Sequence, residues 1–250
     1  MAAKTNSNSW ITYPKTNSPA QIRLFCFHYA GGNATVFRTW SQHLPGTIEV
    51  CPIELPGRGR QINLPSFIHI DPLVNAAAQA LLPYLHKPFA IFGYSMGALI
   101  GFELTRILRS KYNITPLHLF VAARRAPQIP DPKPPIYNLP EADFIQEIIR
   151  LNGTPNAVIE NQELMQLFIP ILRADFRVLD TYNYTNQSPL TCPITVFGGL
   201  QDKEISYDYL TAWQEQTTAS FSIHMLDGDH FFIHSSPSLL FKTIAEKLEG

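Results

Sequence analysis

The stretch FAIFGYSMGALIGFEL, Phe89 to Leu104, sets one serine between two glycines where one apolar run gives way to another. Residues 89–94 read as a buried strand, and Leu99, Ile100, Leu104, Ile107 and Leu108 recur at helical spacing. Gly93-Tyr94-Ser95-Met96-Gly97 fits G-x-S-x-G, a motif that requires this succession of strand, tight turn and helix. So sharp a turn leaves no room for side chains two positions either side of Ser95, which accounts for the glycines. It also holds the hydroxyl clear of the sheet, over a helix N-terminus that favours developing negative charge. A serine that only caps a helix is the alternative reading. The two readings part on whether the chain also supplies an acid and a base, in the order Ser, Asp or Glu, His.

Outward from Ser95 one unit recurs: a short apolar run, a turn with Gly or Pro, then a helical pattern. The strand candidates are IRLFCFHY (22–29), IEVCPIEL (48–55), FAIFGY (89–94), LHLFVAA (117–123), PITVFGG (193–199) and FSIHML (221–226). Such alternation predicts an α/β domain over residues 21–250, with a mostly parallel central sheet flanked by helices. Between Pro127 and Pro189 the rhythm stops. There LPEADFIQEIIRLNG carries Phe144, Ile145, Ile148 and Ile149 at helical spacing, and NQELMQLFIPILRADFRVL carries Leu164, Leu167, Phe168, Ile171 and Leu172. Pro170 interrupts the second helix, but the spacing continues past it, which predicts a kink rather than an end. This insertion is either a lid over a site or an extra helical layer that enlarges the core.

Composition narrows the setting. Lys and Arg (19) nearly balance Asp and Glu (20) for a net charge of -1, which provides no electrostatic footprint for nucleic acid or an anionic membrane. Cys26, Cys51 and Cys192 are odd in number and sit in apolar stretches, the pattern of buried thiols in a reducing cytoplasm. Residues 1–20 are polar, lack the apolar core of a signal peptide and are expected to be a flexible tail. A monomer is expected.

Of the eight histidines, His28, His43, His69 and His86 precede Ser95, and His118 comes too early to follow an acid. His224 lies within a strand and His234 where the closing helix should begin, which leaves His230 in the loop LDGDHFFIH as the base. Asp202, in the turn GLQD after PITVFGG, stands at the same edge of the sheet and is the candidate acid. Glu204 is its nearest rival; Asp227 and Asp229 are too close in sequence to His230, and Asp175 and Asp180 belong to the insertion. Two backbone N–H groups should stabilise an oxyanion: that of Met96, after the nucleophile, and that of Ala30 in the loop HYAGGN (28–33). Arg58 and Arg60 in LPGRGR could meet a phosphate or an acidic partner, but pairing locally or facing solvent is preferred; Arg124 and Arg125 receive no role.

With these residues placed, the sequence resembles the type II thioesterases of nonribosomal peptide and polyketide synthesis, stand-alone enzymes of the α/β-hydrolase fold. The likeness runs from about Arg23 to the C-terminus through LFCFHYAGG, ELPGRGRQ, PFAIFGYSMGALIGFEL, LFVAARRAP, NGTP, LRADF, VFGGLQD and GDHFF. It implies a Ser95, Asp202, His230 triad, a helical lid over about 130–188 and no metal or bound cofactor. The implied substrate is an acyl group on the phosphopantetheine arm of a carrier protein domain, cleared when stalled or wrongly loaded. The family commonly has His where this chain has Tyr94, and Pro where it has His28. An esterase or acyl-CoA thioesterase acting on small free substrates, an acyltransferase and a catalytically silent binding protein are the rival readings.

Overall fold

A computed structural model describes residues 9–12 and 19–250. Among them six strands form one sheet in the order β2-β1-β3-β4-β5-β6, with every neighbouring pair parallel. They are β1 (Ile22–Phe27), β2 (Ile48–Pro52), β3 (Phe89–Tyr94), β4 (Leu119–Ala122), β5 (Ile194–Gly199) and β6 (Phe221–Leu226). All six expected strands are present. β1, β2 and β4 are shorter than the apolar runs that announce them, because apolar character continues into the buried loops that follow, as at Ile53 and Leu55.

Alternate residues of each strand enter opposite cores, as the two-residue period of a strand requires. Phe25 and Phe27 join a core on one face with helices α1 (Ile70–Leu81) and α2 (Met96–Tyr112), while Leu24 and Cys26 join a core on the other. The three cysteines are buried and unpaired. The helices of the insertion, α3 (Glu141–Leu151), α4 (Asn156–Ile159) and α5 (Gln162–Asp180), share a small core of their own built on Phe144, Ile148, Met165, Ile169 and Leu172. The short α6 (Tyr207–Thr211) follows β5; α7 (Phe232–Ser235) and α8 (Pro237–Glu249) follow β6, and α8 packs Leu240, Phe241 and Ile244 into the second core.

Two expectations need correction. The face of α5 is misjudged: Leu164 and Leu167 are exposed, at 37% and 68%, while Met165, Ile169 and Leu172 are buried. Apolar residues fill nearly every position from Leu164 to Leu172, so two stripes at helical spacing coexist and only the packing partner chooses between them. As expected, Pro170 does not end α5, which runs on to Asp180. The expected tail over 1–20 does not hold where it is described: Ile11 is buried in an antiparallel bridge to Ile53, and the Thr12 N–H donates to the Pro52 carbonyl at 2.9 Å. Residues 1–8 and 13–18 of that expected tail lie outside the described residues. No helix among the described residues is long and apolar enough to cross a membrane.

Candidate active site

The C-terminal ends of β1, β3, β4, β5 and β6 converge on one edge of the sheet. The strand order there reverses between β1 and β3, the place where open parallel sheets present a crevice. Ser95 sits in that crevice with φ 52° and ψ -108°, a left-handed conformation that non-glycine residues rarely adopt. The flanking glycines are needed by contact: a Cβ on Gly93 would lie 2.1 Å from the Gly97 carbonyl oxygen, and one on Gly97 would lie 2.1 Å from that of Phe27. The Ser95 N–H donates to the Ala122 carbonyl at 2.8 Å, which ties the turn to β4. Its hydroxyl does not cap α2, so the helix-cap reading fails.

That hydroxyl instead faces His230, with 3.3 Å between Oγ and Nε2, and Nδ1 of His230 lies 2.8 Å from Oδ2 of Asp202. A carboxylate can only accept, so Nδ1 carries the proton and Nε2 offers its lone pair to the serine. Asp202 is fully sealed from solvent at its side chain, and its other oxygen accepts from the N–H groups of Glu204 (2.7 Å) and Ile205 (3.1 Å). These amides compensate the buried charge and fix the carboxylate plane. The rivals are occupied elsewhere. Glu204 pairs with Lys133 and Arg150, Asp229 accepts from the Phe231 N–H, and Asp180 accepts from the N–H groups of Ile136 and Tyr137. His118 faces the Thr195 hydroxyl and His234 the Tyr29 hydroxyl, both away from Ser95.

Ala30 and Ser95 line a common cavity of about 130 Å³, roofed by Ile148, Leu172 and Phe176 of the insertion. Among the described residues no backbone carbonyl accepts from the N–H of Met96 or of Ala30. Met96 is the first residue of α2, where helix geometry leaves the amide unused. Ala30 is left free by a turn: the Gly32 N–H donates to the Tyr29 carbonyl at 3.0 Å, and the His28 Nδ1–H donates to the same oxygen at 2.8 Å. His28 is buried, and desolvation with the Arg58 charge nearby lowers its pKa to about 4, so it stays neutral, with its proton on the Nδ1 that faces the Tyr29 carbonyl.

Three contacts of the site escape sequence reasoning. Arg58 is neither locally paired nor solvated: it is 4% exposed and forms a two-pronged bridge to Asp175 on α5, at 2.7 and 2.6 Å. Arg60 is exposed, in line with the preferred reading. The Tyr94 hydroxyl donates to the His230 carbonyl at 2.6 Å, which joins the residue before Ser95 to the loop that carries His230. Arg125, left without a role, pairs with Asp131 at 2.7 Å, and Arg124 lines the cavity with its pKa lowered by burial to about 10. A weak signal for the Arg58–Asp175 bridge does exist, because Asp175 interrupts the apolar face Leu172, Phe176, Leu179, where a lone carboxylate would need a cation.

Comparisons with known proteins give the family. The family model for the thioesterase domain matches residues 22–248. The linear gramicidin dehydrogenase LgrE of Brevibacillus parabrevis is 45% identical over 244 residues, covering 96% of this chain and 93% of that protein. The gramicidin S biosynthesis protein GrsT of Aneurinibacillus migulanus is 45% identical over 241 residues, covering 96% and 94%. Among solved structures, the type II thioesterase BorB from the borrelidin biosynthetic cluster is 31% identical with a TM-score of 0.87, and the match covers 98% of this chain and 99% of that one. The turn after β1 reads HYAGGN and does not carry the G-x-G-x-x-G pattern of a dinucleotide site. This chain belongs to the thioesterase family, hydrolases of the thioester bond built on the α/β-hydrolase fold.

Proposed function

We propose that the protein is a type II thioesterase that clears acyl groups from the phosphopantetheine arms of carrier proteins in nonribosomal peptide or polyketide synthesis. The observation that carries the mechanism is the hydrogen-bonded line Ser95, His230, Asp202 at the floor of a cavity roofed by helices. Association with such pathways in the names of the gramicidin and borrelidin relatives supports the substrate class.

In this reading Ser95 Oγ attacks the thioester carbonyl as His230 Nε2 takes its proton. Asp202 holds the imidazole tautomer and supports its charge. The N–H groups of Met96 and Ala30 meet the oxyanion, a contribution that reaches several kcal/mol per donor in acyl transfer. The leaving thiol has a pKa of about 8.5, so its expulsion asks little of the imidazolium as an acid. Water then attacks the acyl-enzyme with His230 again the base, and no step calls for a metal or cofactor. The insertion serves as the lid, and its apolar lining receives the acyl group. Every group used comes from one chain, so a monomer suffices, and three buried unpaired thiols suit a reducing cytoplasm.

The test is intact-protein mass spectrometry of carrier proteins bearing acetyl, longer acyl and aminoacyl groups, incubated with wild type or Ser95→Ala. Wild type should remove the acyl mass, and the variant should be slower by on the order of 10⁴-fold or more. If every acyl group persists while a fluorophosphonate still labels Ser95, carrier-bound substrates are excluded and small esters and CoA thioesters take their place.

A further inference from the structure

The Ala30 amide is set by the two peptide planes that flank it. A trans peptide points its C=O and N–H in opposite directions, so holding the Tyr29 carbonyl with the Gly32 and His28 donors aims the Ala30 N–H the other way. The next plane is held from outside the loop: the Gly31 N–H donates to Asp175 Oδ2 at 2.8 Å, and Arg58 Nη1, bridged to that same oxygen, donates to the Gly32 carbonyl at 3.2 Å. Asp175 stands on α5, in the insertion. The contact is close as well as polar, since a Cβ on Gly31 would lie 2.5 Å from Leu172 Cδ2.

Leu172, Asp175, Phe176 and Leu179 follow the i, i+3, i+4, i+7 spacing of a single helix face. Leu172, Phe176 and Leu179 line the cavity that holds Ser95, while Asp175 holds the glycine loop. A wall of the acyl chamber and a clamp on the oxyanion loop are therefore one rigid element. A buried bidentate pair has one good geometry, so a small displacement of α5 cannot be absorbed at the clamp.

We propose that α5 couples the acyl chamber to the oxyanion hole: Asp175, held by Arg58, is a positioning residue for the Ala30 donor, and the fit of an acyl group against Leu172, Phe176 and Leu179 is expressed in kcat. This rests on the serine thioesterase reading of the site, in which Ala30 meets the oxyanion. It makes acyl selectivity a property of the chemical step as well as of binding.

The experiment compares wild type, Asp175→Asn, Leu179→Ala and the double variant, each verified as folded by circular dichroism. The readouts are kcat and KM for acetyl- and octanoyl-pantetheine thioesters and the rate of Ser95 labelling by short- and long-chain fluorophosphonates. Asp175→Asn should lower kcat about tenfold or more with KM changed less than twofold, and should bring the ratio of the two kcat values toward one. Leu179→Ala should change that ratio in wild type and leave it nearly unchanged in the Asp175→Asn background, the non-additivity of a coupled pair. Additive effects on the ratio, or a kcat unaffected by Asp175→Asn, overturn the proposal. If Asp175→Asn does not fold, Arg58→Lys, which keeps the charge but not the two-pronged geometry, carries the same comparison. Labelling needs no thioester chemistry: absent thioester hydrolysis with labelling rates that still follow this pattern refutes the thioesterase reading and leaves the coupling standing.

Discussion

Tyr94 occupies the position immediately before the nucleophile, where the packing of β3 buries its ring completely and leaves its hydroxyl one place to go. The hydroxyl donates to the His230 carbonyl and accepts from the Ile233 N–H at 3.5 Å, so the loop that carries His230 is held by the strand that leads to Ser95. Burial raises the phenol pKa above its usual value, and the donor persists throughout the working pH range. Tyr94→Phe removes this bond and keeps the ring. It should destabilise the fold by about 1 kcal/mol and lower kcat several-fold with little change in KM, because the base moves while the chamber does not. Steady-state kinetics on a pantetheine thioester, with a urea melt of the same variant, decides it; an unchanged kcat would reduce Tyr94 to packing. Sequence reasoning reaches Ser95, His230 and Asp202 because order along the chain and placement after strands are local properties. It does not reach the Tyr94 bond, whose partner lies 136 residues away and is a carbonyl that every residue type possesses.

At the scale of the element, the strands are legible because burial on both faces writes them as continuous apolar runs. The helices of the insertion are legible only as helices. Which face of α5 turns inward, and what holds the insertion down, depend on pairings between distant segments. Glu204 shows this: it stands two residues after Asp202 and reads as a spare acid, yet it joins Lys133 (2.5 Å) at the start of the insertion and Arg150 (2.7 Å) on α3. Its N–H meanwhile serves Asp202, so one residue holds that carboxylate through its backbone and tethers the insertion through its side chain. Both cations are more than 40% exposed, which places each pair in the surface class of about 0–1 kcal/mol. Glu204→Gln should therefore leave global stability almost unchanged while α3 opens more often. Hydrogen exchange over residues 141–151 should quicken, and the wild-type protein should approach the same behaviour at high salt as screening weakens the pairs. Exchange in α3 that ignores both the substitution and the salt would remove Glu204 as the tether.

The molecule as a whole buries ionisable groups both at the site and far from it, and these set its response to acid. His28 and His118 are both held near pKa 4, chiefly by desolvation, His28 beneath the glycine loop and His118 at the other end of the sheet, stacked on Phe120. An unfolded chain protonates both near 6.5 and the folded chain resists until about 4. The unfolded state thus binds more protons across that interval, and stability falls as pH drops through it and levels off below. Each shift from 6.5 to about 4 corresponds to about 3 kcal/mol, a large part of the 5–15 kcal/mol typical of a domain. The partly buried His224 and His234 are shifted in the same direction. Burial raises the pKa values of Glu54 and Asp180, which act in the opposite sense. Urea midpoints between pH 7.5 and 5 should fall steadily, and His118→Gln, whose amide can still donate to the Thr195 hydroxyl, should remove roughly half of that fall. A midpoint that stays level over this range would mean that the imidazoles take up protons as readily in the folded chain as in the unfolded one.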